Sequence, residues 1–285
     1  MKDIIVIAGP TGVGKSLLSI RLAETLNAEI INADAIQVYK GLNIGTAKID
    51  LNEVSIPHHL IDFLDVTSSY SIYDYQRDAR KKIKEIIDSG KRVIIVGGSG
   101  LYIRALLYDY KLEEEENYNN YDDLSLSTLQ GLVKEEKLDQ DIDINNKRRL
   151  VRILQTKEKK NDAKPIYNFT MIGLTTPREN LYNIINNRVD KMFEDGLIEE
   201  VKSFFDKDIN TRIMNTAIGY KELYRYFNKE LSLEEAKDLI KKNSRHYAKR
   251  QYTFFNNKFD MNWFLVNYEN FDQTIKEVYD YLKEN

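Results

Sequence analysis

An apolar run, Ile4–Ala8, passes without a break into Gly9-Pro10-Thr11-Gly12-Val13-Gly14-Lys15-Ser16, and apolar periodicity resumes directly behind it. The octet fits the phosphate-binding pattern G-x-x-x-x-G-K-[ST], the P-loop. In that context a buried strand must end, the backbone must turn tightly over glycines, and a helix must start where the turn closes. Consecutive N–H groups at the helix start then face an anion. Lys15 adds a compact positive charge, and the Ser16 hydroxyl suits a Mg²⁺ ligand.

The remaining pattern extends this unit. Glu29–Ala33 and Arg92–Val96 read as further short buried strands. Between them, Ser16–Leu26 carries apolar residues at 17, 18, 22 and 26, and Tyr75–Ile87 carries them at 75, 79, 83, 86 and 87, both at helical spacing. Strands alternating with helices predict an α/β fold, a P-loop NTPase-like parallel sheet with helices on both faces. Ligands of such sheets gather beyond the carboxyl ends of the strands. The P-loop, Asp34 and Gly97-Gly98-Ser99-Gly100 are therefore expected around one crevice.

Composition shifts after Tyr110, where the chain becomes acidic and rich in Asn and Tyr. Residues 111–144 read as a small, mainly helical insertion, splitting the core into 1–110 and 145–285. Thr170–Leu174 restores the strand pattern. Thr176-Pro177-Arg178-Glu179 predicts a capping box with proline at the first helical position. The helix behind it should bury Leu181, Ile184, Ile185, Val189 and Met192 and stop near Gly196. Ser232-Leu233-Glu234-Glu235 predicts another capped helix, reaching about residue 255.

A P-loop implies a diphosphate or triphosphate and does not single out ATP. ATP-hydrolysing proteins of this type usually end a later strand with an aspartate that holds Mg²⁺. Here Arg92–Val96 runs into glycines and Ser99 with no acid, which argues against an ATPase motor and for a second loop whose backbone and hydroxyl approach the ligand. Asp34, at a strand's carboxyl end, is placed to take a proton from an acceptor nucleophile; a Mg²⁺–water ligand or a helix cap fits the same residue. Gln37 has the groups to hydrogen-bond an acceptor base. His58 and His59, being adjacent, present no chelating face and are assigned a structural role.

With 285 residues, 42% hydrophobic and 31% charged, the chain can bury a substantial core, which excludes global disorder. It has no cysteine, which removes disulfides and thiolate chemistry and fits a reducing cytosol. Ile4–Ala8 is too short to cross a membrane, so no membrane association is expected. The net charge of −3 does not advertise a polyanion partner, but Lys147 to Lys160 holds seven basic residues against one acid, Glu158. Arg148 and Arg152 share a helix face with Arg149 beside them. Lys241, Arg245 and Lys249 form a second row. Each row fits either a solvated face or a grip on phosphates.

Taken together, these segments resemble the bacterial tRNA dimethylallyltransferase (tRNA isopentenyltransferase) family. The agreeing stretches are Gly9–Ser16, Asp34–Lys48, Pro57–Asp62, Tyr70-Ser71, Gly97–Tyr102, Asn145–Arg152, Ala217–Glu222 and Tyr247–Gln251, in the family's order over nearly the whole chain. Asp34–Lys48 is the most specific, because ordinary P-loop kinases lack it. The resemblance implies transfer of a dimethylallyl group from dimethylallyl diphosphate to N6 of the adenine just 3′ of the anticodon. It implies Asp34 as general base, Asp34, Ala35, Ile36 and Gln37 against the target adenine, and Arg148, Arg149, Leu150, Val151 and Arg152 against tRNA. Gly9, Pro10, Thr11, Gly12, Val13, Gly14, Lys15 and Ser16 would hold the donor's diphosphate with Mg²⁺, with Lys15 and Ser99 assisting catalysis. A monomer working in the cytoplasm is expected.

Two residues depart from the family's usual pattern: Ala35 stands where serine is usual, and Ser99 where threonine is usual. The insertion is also shorter and more acidic than the family's helical tRNA-gripping domain. The competing readings are a small-molecule P-loop kinase, which also places an acid after its second strand, and a non-catalytic RNA-binding module.

Overall fold

The computed structural model describes residues 3–110, 121–139, 142–156 and 163–285. The chain divides into two compact units, one made of Met1–Leu107 with Ile166–Asn285, the other of Tyr108–Pro165.

The larger unit is built on a six-stranded sheet: β1 (Ile4–Ala8), β2 (Ala28–Asn32), β3 (His58–His59), β4 (Arg92–Gly97), β5 (Phe169–Thr175) and β6 (Asn262–Leu265). Their order is β3-β2-β4-β1-β5-β6, and every pairing is parallel. β1 is central, with Val6 registered on Ile95 at one side and Met171 at the other, and all five of its residues are buried. Burial on both faces explains why it reads as a continuous apolar run instead of an alternating one.

Successive residues of β1 serve opposite faces. Ile5 and Ile7 join a core cluster with Leu18 and Leu22 of α1 (Lys15–Leu26), Leu181 and Ile185 of α6 (Arg178–Glu194), and Val278 and Leu282 of α10 (Phe271–Glu284). Ile4 and Val6 are equally buried and face the side on which α2 (Ile72–Asp88) packs against β2 and β4. A further cluster joins Val38, Tyr39 and Leu42 to Val189 and Met192 of α6, Val201 of α7 (Leu197–Phe205), Leu223 of α8 (Tyr220–Phe227) and Ile240 of α9 (Leu233–Lys258). The expected parallel sheet with helices on both faces is thus the observed one.

The smaller unit corrects the expected boundaries. It extends past 144 and includes α5 (Lys147–Thr156), which was assigned to the core. The cause is α5's apolar stripe. Leu150, Val151 and Leu154 pack on Leu129 and Val133 of α4 (Leu126–Glu135), leaving Arg148, Arg149 and Arg152 exposed on the opposite side. Leu150 and Val151, expected against tRNA, therefore bury their side chains in this small core. Residues 111–120 of the insertion, and 157–160 of the basic run, lie outside the described residues.

Several local expectations shift. The box at Thr176 does not form: Pro177 is itself the N-cap, no side chain caps the helix, and α6 starts at Arg178. Ser232 and Glu235 do form their reciprocal box at the start of α9. His58 and His59 form the short edge strand β3, where His59 Nε2 lies 2.6 Å from Glu29 Oε2 while Lys91 holds Glu29 Oε1, a structural ion-paired cluster.

Candidate active site

Three strands deliver three loops to one edge of the sheet. β2 ends at Asn32, two residues short of Asp34, and the Asn32 side chain builds the turn that follows. Its Nδ2 donates to the Asp34 and Leu60 carbonyls at 3.2 and 2.9 Å, and its Oδ1 accepts from the Asp34 N–H at 3.2 Å. Asp34 Oδ1 accepts from the N–H groups of Ile36 (2.9 Å) and Gln37 (3.4 Å), so one carboxylate oxygen is spent on closing the turn. Oδ2 has no hydrogen-bond partner among the described residues.

The Gly97–Gly100 segment lies directly against this turn. Ser99 N–H donates to the Ala33 carbonyl at 3.1 Å, and Ser99 Oγ accepts from the Ala35 N–H at 3.1 Å. Close approach is possible because Gly97 lacks a Cβ; one there would stand 2.2 Å from the Ala33 carbonyl oxygen. Ser99 therefore fixes the backbone that carries Asp34.

The P-loop borders the same space. Val13 is buried in the core cluster, so it serves the loop only through its backbone, whereas Ser16 is exposed at the cavity. Lys15 Nζ donates to the Pro10 carbonyl at 2.7 Å. Burial, and then the charge of Arg188, pull the Lys15 pKa from 10.5 to about 7, while Asp34 acts in the opposite direction. Lys15 and Arg188 thus bring two cations to the P-loop cavity, with the Asp34 carboxylate acting on both.

Arg188 escaped the sequence reading. Its Nη1 donates to Thr11 Oγ1 at 2.8 Å and its Nη2 to the Thr46 carbonyl at 3.3 Å, and no carboxylate among the described residues pairs with it. The signal was present: Leu181, Ile184 and Arg188 fall at i, i+3 and i+7 on α6, so a charge occupies the apolar stripe. Gln251 on α9 was also missed as a site residue. Its Oε1 accepts from the Thr11 N–H at 3.1 Å and its Nε2 donates to the Gly98 carbonyl at 3.0 Å, tying the P-loop to the glycine loop. One turn earlier on the helix, Tyr247 lines the site. Burial, and then the charge of Asp34, push its phenol up, so it remains a donor.

A cavity of about 620 Å³ runs along the P-loop and includes Lys15, Ser16, Asp34 and Arg188 in its wall. A second of about 320 Å³ is lined by Ala35, Ile36, Ser99, Ala217, Lys221 and Arg250 among others. Both share Thr11, Asp34, Thr46, Arg188, Met192 and Tyr247. Asp34 and Arg188 thus stand where the P-loop cavity meets the second one. Gln37 lies at the first cavity, but its Nε2 donates to the Thr46 carbonyl at 3.1 Å, leaving its Oε1 for any base.

The second basic row is not a solvated face. Lys241 pairs with Asp190 at 2.7 Å and Arg245 Nη1 donates to Asn186 Oδ1 at 2.6 Å, both on α6; only Lys249 is exposed. No helix among the described residues is long and apolar enough to cross a membrane.

The sequence model of the family described as IPP transferase matches residues 37–258. The tRNA dimethylallyltransferase of Bacillus subtilis (strain 168) is 44% identical over 290 residues, covering 92% of this chain and 90% of the relative. The crystal structure of the full-length tRNA isopentenylpyrophosphate transferase from Bacillus halodurans superposes with a TM-score of 0.78 at 39% identity, covering 100% of this chain and 96% of the other. A eukaryotic dimethylallyltransferase captured acting on tRNA superposes with a TM-score of 0.86 at 27% identity, over 100% of this chain and 80% of its own. The chain belongs to the IPP transferase family.

Proposed function

We propose that this protein transfers the dimethylallyl group of dimethylallyl diphosphate to N6 of the adenine 3′ to the anticodon in tRNA, releasing diphosphate. The observation that carries this reading is the junction of the two cavities at Asp34 and Arg188. Donor diphosphate on the P-loop side and acceptor adenine on the other would meet there.

In the first space, N–H groups of the P-loop at the start of α1, together with Lys15 and Arg188, would receive the diphosphate. Ser16 presents a hydroxyl to the cavity, and this oxygen with those of the diphosphate supplies the hard donors that Mg²⁺ prefers, so the residues fit that ion. Mg²⁺ would neutralise charge gathering on the leaving diphosphate. The bond from the allylic carbon to oxygen breaks with its electron pair leaving on diphosphate, while the N6 lone pair forms the new C–N bond. Lys15 and Arg188 stabilise the developing negative charge from fixed positions. Asp34 Oδ2 takes the N6 proton, while the Ile36 N–H on Asp34 Oδ1 and the Ala35 N–H on Ser99 Oγ hold the turn that carries it.

The adenine has to leave its stack to reach such a recess, at a cost of a few kcal/mol. The exposed face of α5, with Arg148, Arg149 and Arg152, offers cations for tRNA phosphates. A tRNA acceptor supports a cytoplasmic reaction. The kinase reading finds no support in the β4 end, where glycines replace the acid that holds Mg²⁺–ATP in such enzymes. Incubation with labelled dimethylallyl diphosphate and unmodified tRNA should move label into tRNA without ATP. Absence of transfer, or ATP-dependent phosphorylation of a metabolite, would overturn the reading.

A further inference from the structure

Glu200, in the first turn of α7, turns its carboxylate onto a distant loop. Its Oε2 accepts from the N–H groups of Asn43 (2.9 Å) and Ile44 (2.8 Å). Its Oε1 accepts from the N–H of Gly45 (3.1 Å) and the hydroxyl of Tyr220 (2.5 Å). Three consecutive amides and a phenol thus converge on one carboxylate, and hydrogen bonds to a charged acceptor are the strong ones. Tyr220 is fully buried, and burial together with the Glu200 charge keeps its phenol protonated, so it stays a donor. Gly45 permits the arrangement: a Cβ there would stand 2.6 Å from the Tyr220 ring.

The loop lies in neither strand nor helix, so contacts of this kind set its position. Its next residue, Thr46, is the meeting point of both halves of the site. The Thr46 carbonyl accepts from Gln37 Nε2 at 3.1 Å and from Arg188 Nη2 at 3.3 Å. The first side chain belongs to the turn carrying Asp34, and the second faces the diphosphate space.

We infer that Glu200 is a positioning residue for the transfer: by gripping residues 43–45 it places Thr46, and through Thr46 it sets Arg188 relative to the Asp34–Gln37 turn. The inference rests on the proposed function. It goes beyond that reading by assigning a role in the transfer to a residue outside the two cavities. Glu200→Gln is nearly isosteric, but its amide NH₂ would oppose an N–H or O–H donor on one side, so part of the grip is lost while packing stays. A displacement of the reacting groups by an ångström costs on the order of a hundredfold in rate.

The test compares parent, Glu200→Gln and Gly45→Ala in single-turnover transfer of labelled dimethylallyl groups to tRNA, with inorganic diphosphate binding and amide exchange at 43–45 measured alongside. The expected result is a fall in turnover of about tenfold to a hundredfold in both variants, faster exchange of the three amides, and diphosphate binding that weakens by less than turnover falls, because Arg188 shifts while the P-loop amides and Lys15 are untouched. Gly45→Ala breaks the same grip from the loop side, so it stands in should Glu200→Gln fail to fold. A parent that transfers label while a folded variant keeps turnover within about threefold, well short of the loss a misplaced group brings, would overturn the role of Glu200. A parent that transfers nothing would instead overturn the proposed function, a separate outcome.

Discussion

Lys15 provides a direct test of how the phosphate cradle is charged. Burial and Arg188 lower its pKa from 10.5 to about 7, which corresponds to about 5 kcal/mol against the ammonium form. A bound diphosphate supplies the missing counter-charge and returns the pKa upward. Protons are then taken up on binding between pH 7 and 10.5, and affinity falls as pH rises through that window. For one proton the limiting slope is about tenfold per pH unit. Diphosphate titrates as well, so the informative quantity is the difference between the parent and Lys15→Met, which keeps the length of the side chain without its charge. Calorimetric titration with inorganic diphosphate between pH 7 and 9, in buffers of different ionisation enthalpy, reads both affinity and proton uptake. Linkage also predicts the ligand-free stability. In this window the unfolded chain binds more protons than the folded one, so the parent gains stability as pH rises and Lys15→Met does not. Equal pH slopes and equal proton uptake in the two proteins would refute the reasoning.

Asp34→Asn should retain diphosphate binding and lose about 10²–10⁴ in single-turnover transfer, the usual worth of a positioned base; near-normal turnover would remove Asp34 from that role. Replacing Arg148 and Arg152 with alanine should weaken tRNA binding and flatten its salt dependence by about 0.7 per lost single-strand phosphate contact, measured as affinity against salt concentration; an unchanged slope would mark α5's exposed face as merely solvated. Leu150→Ala should destabilise the small unit by about 2–5 kcal/mol. Amide exchange should then rise in α4 and α5 with the strands of the sheet unaffected, and rapid exchange in β1 would contradict the independence of the two cores.

The readings that succeeded from the chain alone were those in which neighbouring residues carry the whole cause. Ile4–Ala8 followed by Gly9–Ser16 determines a strand, a wrapped loop and a helix start, because backbone geometry and the P-loop glycines act over a few residues. Ser232 and Glu235 specify their capping box for the same reason. The order of strands and helices determines a parallel sheet, and with it the edge where ligands bind. Asp34 and Ser99 could be placed near that edge from the chain alone because each follows the end of a strand by two residues. Thr176 failed because Pro177 occupies the cap, a competition between two local signals.

Tertiary structure decided everything that depends on partners distant in sequence. Arg188 meets Thr11, 177 positions away, and Gln251 meets the same residue from 240 positions. No periodicity reports which loop a helix residue will reach. The basic rows separated for the same reason. Arg148 and Arg152 stay exposed because Leu150 and Leu154 turn inward, while Lys241 and Arg245 are taken up by α6. Spacing determined which side chains share a face, but only packing decided which faces were covered, because that choice depends on the apolar area and polar partners that a neighbouring element brings.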